Sequence, residues 1–238
     1  YIGAGDMCNV QRTAQTIYTA MILGSIPISV IGILLSKPIL LLINTPPDAL
    51  PMANTYMRII FLGMVGSFGY NVNAGILQGF GDSKSSLLFL TIATVINIVL
   101  DLTFVLVFHW GVAGVAIATI IAQAFSWIFG IFYMKKKYEV LNFPIFKFKF
   151  DKEIFNKIVK IGLPTGIQQT LFSIGIMSMQ SLVNSYGSDF IAGFNAANKI
   201  DTFAFMPVQS FSNAITTFTG QNIGAKRMDR VHQGMKSG

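Results

Sequence analysis

One aspartate stands alone in a long apolar stretch and is the strongest candidate for chemistry in this sequence. Asp101 is the only charged residue between positions 85 and 108. A charged carboxyl at the centre of a membrane helix costs about 2.5 to 3.5 kcal/mol on insertion scales, so it requires compensation. Asn97 lies one helical turn before Asp101, and Thr94 lies three residues earlier still. At this spacing the three side chains share one helix face.

This face presents carboxylate, amide and hydroxyl oxygens, which can bind a small cation in two ways. A proton can bind Asp101, because desolvation favours the neutral carboxylic acid. Alternatively, the oxygen atoms of the group can hold Na⁺. A purely structural reading is that Asp101 hydrogen-bonds a neighbouring helix. The scarcity of acidic residues inside membrane helices favours the functional reading.

The composition indicates that the helices carrying these residues lie in a membrane. Of 238 residues, 53% are hydrophobic and 11% are charged, whereas soluble domains carry about 25% charged residues. We therefore predict an all-α, polytopic, multi-pass protein of the cell membrane. Six segments are long and apolar enough to cross about 30 Å of hydrocarbon. They span residues 15–36, 55–77, 85–108, 112–134, 159–184 and 190–219.

The basic residues predict the orientation of these segments. Fourteen of the seventeen Lys and Arg residues lie in one alternate set of gaps, and eight of them fall within residues 135–160. Because cytoplasmic loops retain positive charge during insertion, we expect both chain ends and the 135–158 loop to be cytoplasmic. This clustering beside anionic lipid explains the net charge of +7, so we expect the lipid bilayer and no nucleic acid as a partner.

A weak internal repeat predicts the organisation of the chain. Ile2-Gly3-Ala4, followed by Met7 and Val10, recurs 221 residues later, an offset of six spans. We predict two six-helix bundles related by pseudo-two-fold symmetry, with both ends of this chain internal to a longer protein. Residues 1–134 would end the first bundle, 135–158 would link the bundles, and 159–238 would begin the second. The Phe-Lys alternation at 146–150 fits either a headgroup interface or a solvated linker.

Several short motifs, in order and spacing, resemble the multidrug and toxic compound extrusion (MATE) family. They are LQGFGD at 77–82, NIVLD at 97–101, GVAGVAIAT at 111–119, GLP at 162–164 and GQNIGA at 220–225. The likeness covers what would be helices three to eight of twelve. It implies two bundles around a central cavity and an antiporter that exports amphipathic or cationic drug-like compounds in exchange for H⁺ or Na⁺ by alternating access. We expect no cofactor beyond the coupling ion and no obligate protein partner.

The resemblance also implies which residues bind the coupling cation. The family's asparagine and aspartate on helix five match Asn97 and Asp101, and a threonine on helix six matches Thr119, which gives a possible Na⁺ site. The helix-one aspartate expected beside them lies outside this chain. Some family members carry a coupling glutamate on helix seven, where this chain has Gln168 and Gln169. This departure favours coupling in the amino-terminal half.

Polar residues in the last two segments are candidates for the substrate path. Lys199 and Asp201 lie within the 190–219 segment, either as a neutralising pair or as charges that contact substrate. Amide side chains can line a polar cavity or join helices by hydrogen bonds, and methionine offers an adaptable surface. The other candidates are Gln168, Gln169, Gln180, Asn184, Asn195 and Met177.

Two other functions fit the sequence less well. An enzyme requires convergent nucleophiles, acids or metal ligands, but the sequence has two histidines, one cysteine and no paired carboxylates within a span. It also lacks a Gly-rich phosphate loop. We therefore expect a protein that is not an enzyme. An exporter or flippase of lipid-linked glycans with related architecture is the alternative, although the few cations within the spans favour a drug-like substrate.

Overall fold

The computed structural model describes residues 1–42, 45, 47, 49–144, 148–184 and 188–237, without the side chains of 177, 180, 181, 184, 188–192, 195 and 237. All regular elements in these ranges are helical, which confirms the predicted all-α class. The chain forms two compact units. One comprises Ile2 and Asp6–Asp151, and the other comprises Tyr1, Gly3–Gly5 and Lys152–Gly238.

The first unit carries the segments that precede the connecting loop. Three of its elements are long and apolar enough to cross a membrane: α1, α5, and α4 together with its π-helical turn. The bent pair α2 and α3 could form a fourth span. The helices are α1 (Met7–Leu42), α2 (Leu50–Leu62), α3 (Met64–Gly79), α4 (Ser83–Leu102), a π-helical turn (Thr103–Val107), α5 (Gly111–Lys137) and a 3₁₀ turn (Glu139–Leu141).

The predicted 55–77 segment is not one straight helix. Helices α2 and α3 meet at Gly63 and are bent by 55°. A Cβ atom at Gly63 would lie 2.1 Å from the Ile120 side chain on α5, so only glycine fits there. Gly66 and Gly69 continue this row at three-residue steps along α3 and also face α5. The glycine row therefore permits the close helix contact, and the bend falls at its first member.

The core of the first unit extends into the connecting loop. Leu77 and Met134 are fully buried on α3 and α5, and Leu141 and Phe143 pack against the same cluster from beyond α5. Helix α5 runs to Lys137 and the next helix begins at Lys152, so helix extends into both ends of the predicted 135–158 loop. Part of this loop is thus packed protein rather than a free tether. Residues 145–147, which carry part of the Phe-Lys alternation, lie outside the described residues.

The second unit contains α6 (Lys152–Asn184), α7 (Ser188–Gly224) and α8 (Met228–Ser237). Helices α6 and α7 have 33 and 37 residues, which exceeds the length of a span. Among the described residues, neither helix combines this length with the hydropathy of a span, and amide and charged side chains interrupt the apolar runs of both. For these two segments, membrane crossing stays a prediction.

The sequence repeat has a counterpart in the backbone. Helix α1 begins at Met7 and α8 begins at Met228, which lies 221 residues later. The turns before both helices contain a left-handed residue at the same offset, Gly5 with φ 70° and Lys226 with φ 59°. The two copies therefore share a local turn geometry as well as residue types.

Candidate functional site

Helix α4 places Asp101 in its final turn. The helix begins at the N-cap residue Asp82, whose carboxylate accepts a hydrogen bond from the Ser85 backbone N–H at 3.2 Å. Nineteen residues later, Asp101 is half-buried, and its Oδ1 atom is buried without a hydrogen-bond partner among the described residues. A buried carboxylate oxygen is costly unless a donor, a proton or a cation satisfies it.

The structure brings Asn97 and Thr119 together beside this acid. The Asn97 Nδ2 donates to the Thr119 Oγ1 at 3.4 Å, and the Thr119 hydroxyl donates to the Val115 carbonyl at 2.9 Å. Both side chains are half-buried between α4 and α5. Asp101 lies one turn farther along α4, and within the described ranges no hydrogen bond connects it to either residue. The pair and the acid form a short row of oxygen-bearing groups.

Thr94 does not join this row. Its side chain is exposed, and its hydroxyl donates to the Leu90 carbonyl of its own helix at 2.8 Å. The candidate donor set in the structure is therefore Asp101, Asn97 and Thr119.

A π-helical turn begins at Thr103, two residues after Asp101, and sequence reasoning did not find it. In this turn the Phe108 backbone N–H donates to the Thr103 carbonyl at 3.1 Å, five residues back. Single π-helical turns within helices occur frequently at functional sites. The stretch TFVLVF offers no signal for it, because its apolar composition fits a regular membrane helix equally well.

The side chains of the site are a carboxylate, an amide and a hydroxyl. The described part of the chain holds no group of three or more His, Cys, Asp or Glu side chains that could bind a metal. The oxygen atoms of Asp101, Asn97 and Thr119 are of the kind that suit hard cations. The unpartnered Oδ1 of Asp101 is the atom that such a cation would satisfy.

A second feature is a groove between α6 and α7. It has a volume of about 730 Å³, and Asp201 is the acid in its lining. Lys199 and Asp201 form no ion pair in the part of the chain that is described, because residues two apart point to different sides of a helix. Of the two alternatives for these residues, the neutralising pair is not formed among the described residues, and contact with substrate stays a prediction. The lining comprises Phe172, Ile176, Met179, Phe194, Asn198, Asp201, Thr202, Phe205, Met206 and Gln209.

The other substrate-path candidates lie elsewhere or are not described. Gln168 and Gln169 are exposed on α6 and do not line the groove. The remaining four have side chains outside the described residues: Met177, Gln180, Asn184 and Asn195.

The described residues form helices as their only regular elements, several of them are apolar and of membrane length, and one carries an acid whose buried Oδ1 atom has no partner within these ranges. These are features of a polytopic membrane transporter. The comparison with known families agrees with this class. The model of the MatE family matches residues 1–103 and 164–238, so this chain belongs to the MatE family, whose members are MATE transporters.

Relatives and a solved structure show how much of the whole protein the chain represents. It is 36% identical to the probable multidrug resistance protein YpnP of Bacillus subtilis (strain 168) over 208 residues, which are 87% of this chain and 46% of the relative. It is 31% identical to YoeA, a probable multidrug resistance protein of the same strain, over 243 residues covering 99% and 52% of the two chains. The outward-facing structure of a multidrug resistance MATE family transporter superposes with a TM-score of 0.86 at 24% identity, covering 98% and 52%. The chain thus spans about half the length of the relatives that it matches.

Proposed function

We propose that the protein containing this chain exports amphipathic or cationic drug-like compounds in exchange for H⁺ or Na⁺, and that Asp101 binds the coupling cation. The observation that carries this proposal is the buried Oδ1 atom of Asp101, which has no hydrogen-bond partner among the described residues and lies in a stretch, residues 85–108, that holds no other charge. The names of YpnP and YoeA as probable multidrug resistance proteins support export of drugs as the activity.

Cation binding at Asp101 would couple to conformation through charge. With a proton or Na⁺ bound, the apolar stretch of α4 that carries Asp101, residues 85–102, has no net charge and tolerates a dry environment. Without the cation, the carboxylate requires water or a hydrogen-bond donor. The two states therefore favour different surroundings for α4, and this differential stability is what shifts a conformational equilibrium. The π-helical turn beside Asp101 supports such a change, because its hydrogen-bond pattern differs from that of the adjoining α-helix.

The groove between α6 and α7 supports an amphipathic substrate. Its volume of about 730 Å³ lies within the range of about 300 to 1,000 Å³ that is usual for small-molecule sites. Aromatic rings and thioethers accept varied apolar partners, and Asp201 adds an attraction for a positive charge. We assign the groove to the substrate path.

The proposed topology places both chain ends and the 135–158 loop in the cytoplasm. It is supported by the distribution of Lys and Arg, of which all but Lys37, Arg58 and Lys199 fall on one side of the predicted spans.

The test is transport by the full-length protein in liposomes under separately imposed H⁺ and Na⁺ gradients. Asp101→Asn keeps the shape of the side chain but removes its charge and its ability to bind the cation. We expect it to abolish gradient-driven export while the protein still inserts and purifies. Export by the variant at the wild-type rate under both gradients would refute the role of Asp101.

A matched pair of threonine variants separates the site from general effects on helices. Thr119 and Thr94 each donate to a carbonyl four residues back, but only Thr119 also contacts Asn97. We expect Thr119→Val to weaken the apparent affinity for the coupling ion and Thr94→Val to leave it unchanged. Equal effects of the two variants would remove Thr119 from the site.

A further inference from the structure

The connection between α5 and α6 is fastened to α1 by hydrogen bonds. The Thr19 hydroxyl shares its hydrogen between the Gln15 carbonyl at 2.8 Å and the Lys149 carbonyl at 3.1 Å, and the Asp151 backbone N–H donates to the Thr16 hydroxyl at 3.3 Å. The Arg12 guanidinium also forms an ion pair with the Asp151 carboxylate. Residues 148–151 therefore lie along the first turns of α1.

Helix α1 changes from polar to apolar at this level. Arg12 and Gln15 lie in its first turns, and the predicted 15–36 membrane segment begins beside them. In the proposed topology, on which this inference rests, the change marks the boundary between headgroups and acyl chains in the cytoplasmic leaflet. Residues 148–151 are held at that boundary.

Two aromatic side chains at this level are only partly covered by the chain. Phe148 is 55% exposed and Phe150 is 51% exposed, and Lys149 lies between them. Aromatic rings are favoured at membrane interfaces, and a lysine stem can lie along apolar surface while its ammonium reaches the headgroups. Residues 148–150 can thus place aromatic rings at the interface and an ammonium group among the headgroups.

The charges beside these rings complement a phosphate group. A cavity of about 400 Å³ lies between α1 and the segment, and both Arg12 and Lys149 line it. Arg12 donates through one amino nitrogen to Asp151 and through the other to the Asn9 side chain at 3.2 Å, which leaves further guanidinium N–H groups for an acceptor. The Lys149 ammonium makes no hydrogen bond or ion pair within the described part of the chain. Two cations against one carboxylate leave a net positive charge, which favours an anion.

We propose that Arg12 and Lys149, together with the rings of Phe148 and Phe150, form a docking surface for the phosphate headgroups of anionic phospholipids in the cytoplasmic leaflet. The rings enter the region between headgroups and acyl chains, and the cations bind the phosphate oxygens. Bound lipid would hold the α5–α6 connection against α1.

The test measures how strongly the full-length protein retains phosphatidylglycerol relative to phosphatidylcholine, by native mass spectrometry of protein released from nanodiscs that contain both lipids. Lys149→Gln removes one cation whose side chain is exposed, so the fold is preserved. A cation near an anionic surface contributes about 1 kcal/mol, which predicts a roughly fivefold loss of phosphatidylglycerol retention. Lys136→Gln is the matched control, because Lys136 is exposed on the last turn of α5 and does not line the cavity. It should change retention less than twofold.

Equal losses in the two variants would overturn the proposal, because they would reflect general attraction to the basic face. Equal retention of the two lipids by the wild-type protein would also overturn it. Displacement of phosphatidylglycerol by excess inorganic phosphate would show a soluble-anion site rather than a lipid surface. Transport is not part of this readout, so failure of the lipid experiment leaves the role of Asp101 intact, and failure of the Asp101 experiment leaves the lipid result standing.

Discussion

A buried polar network that joins three helices should contribute measurably to the stability of the first unit. The Tyr18 hydroxyl on α1 donates to the Asn73 Oδ1 on α3 at 2.5 Å, and the Asn73 Nδ2 donates to the Trp127 carbonyl on α5 at 2.8 Å. Tyr18 and Asn73 are each only 2% exposed. Tyr18→Phe removes the hydroxyl with little change in shape and leaves the Asn73 oxygen without its donor.

The magnitude follows from what each variant leaves behind. An unpaired buried acceptor costs about 1 to 3 kcal/mol, but hydrogen bonds between membrane helices average about 0.6 kcal/mol with a maximum near 1.7. We therefore expect Tyr18→Phe to lower the free energy of unfolding by about 1 kcal/mol. Asn73→Ala breaks both hydrogen bonds and also leaves a cavity, so it should cost about 2 to 3 kcal/mol. The double variant should cost little more than Asn73→Ala alone, because the shared hydrogen bond is lost only once.

The assay is equilibrium unfolding of the full-length protein in mixed micelles titrated with sodium dodecyl sulfate and followed by far-ultraviolet circular dichroism. Tyr70→Phe is the control, since the Tyr70 hydroxyl has no hydrogen-bond partner among the residues that the structure describes, and its loss should cost less than about 0.5 kcal/mol. Additivity of Tyr18→Phe and Asn73→Ala within about 0.5 kcal/mol would refute the network.

Two further predictions concern the same unit. Gly69→Ala should destabilise it by about 1 to 3 kcal/mol, because the new Cβ would lie 2.4 Å from the Trp127 ring, whereas Gly75→Ala, with no atom within 4 Å, should be neutral or slightly stabilising in the same titration. Asp82→Asn should lower stability at neutral pH. Burial alone would raise the pKa of Asp82, but its hydrogen bonds, led by the one from Lys137, have the larger effect and hold that pKa well below its usual range. A carboxyl whose pKa is lowered by folding stabilises the folded state at every pH above its unfolded pKa, which is about 4. The difference in free energy of unfolding between wild type and Asp82→Asn should therefore be constant from about pH 8 to 5 and shrink below about pH 4. A decrease of this difference between pH 8 and 5 would contradict the assignment to Asp82.

Local sequence patterns were sufficient to predict that the chain is helical and that the turns before Met7 and Met228 are equivalent. In lipid, an apolar segment of this length can pair all of its own backbone N–H and C=O groups only as a helix. Composition and length therefore predict the helices directly. The 221-residue offset identified Met7 and Met228 as equivalent positions, and both begin helices.

Other features depend on contacts between segments distant in sequence. The close contact at Gly63 involves Ile120, which is 57 residues away, and nothing in the isolated segment 55–77 predicts either this contact or the bend beside it. The sequence alone did not place the end of the Phe-Lys alternation, whereas hydrogen bonds to Thr16 and Thr19 hold Lys149 and Asp151 along α1.

The candidate site also has features that the sequence predicts and features that depend on tertiary contacts. The sequence alone determined that Asp101 is an isolated acid in an apolar helix, because charge and hydropathy are properties of neighbouring residues along the chain. Only the tertiary structure decided which hydroxyl meets Asn97: α5 brings Thr119 to it, as the family resemblance suggested, while Thr94 is exposed, although Thr94 and Asn97 share a face in the helical pattern. A helical period specifies which residues share a face, but packing between helices specifies what that face meets.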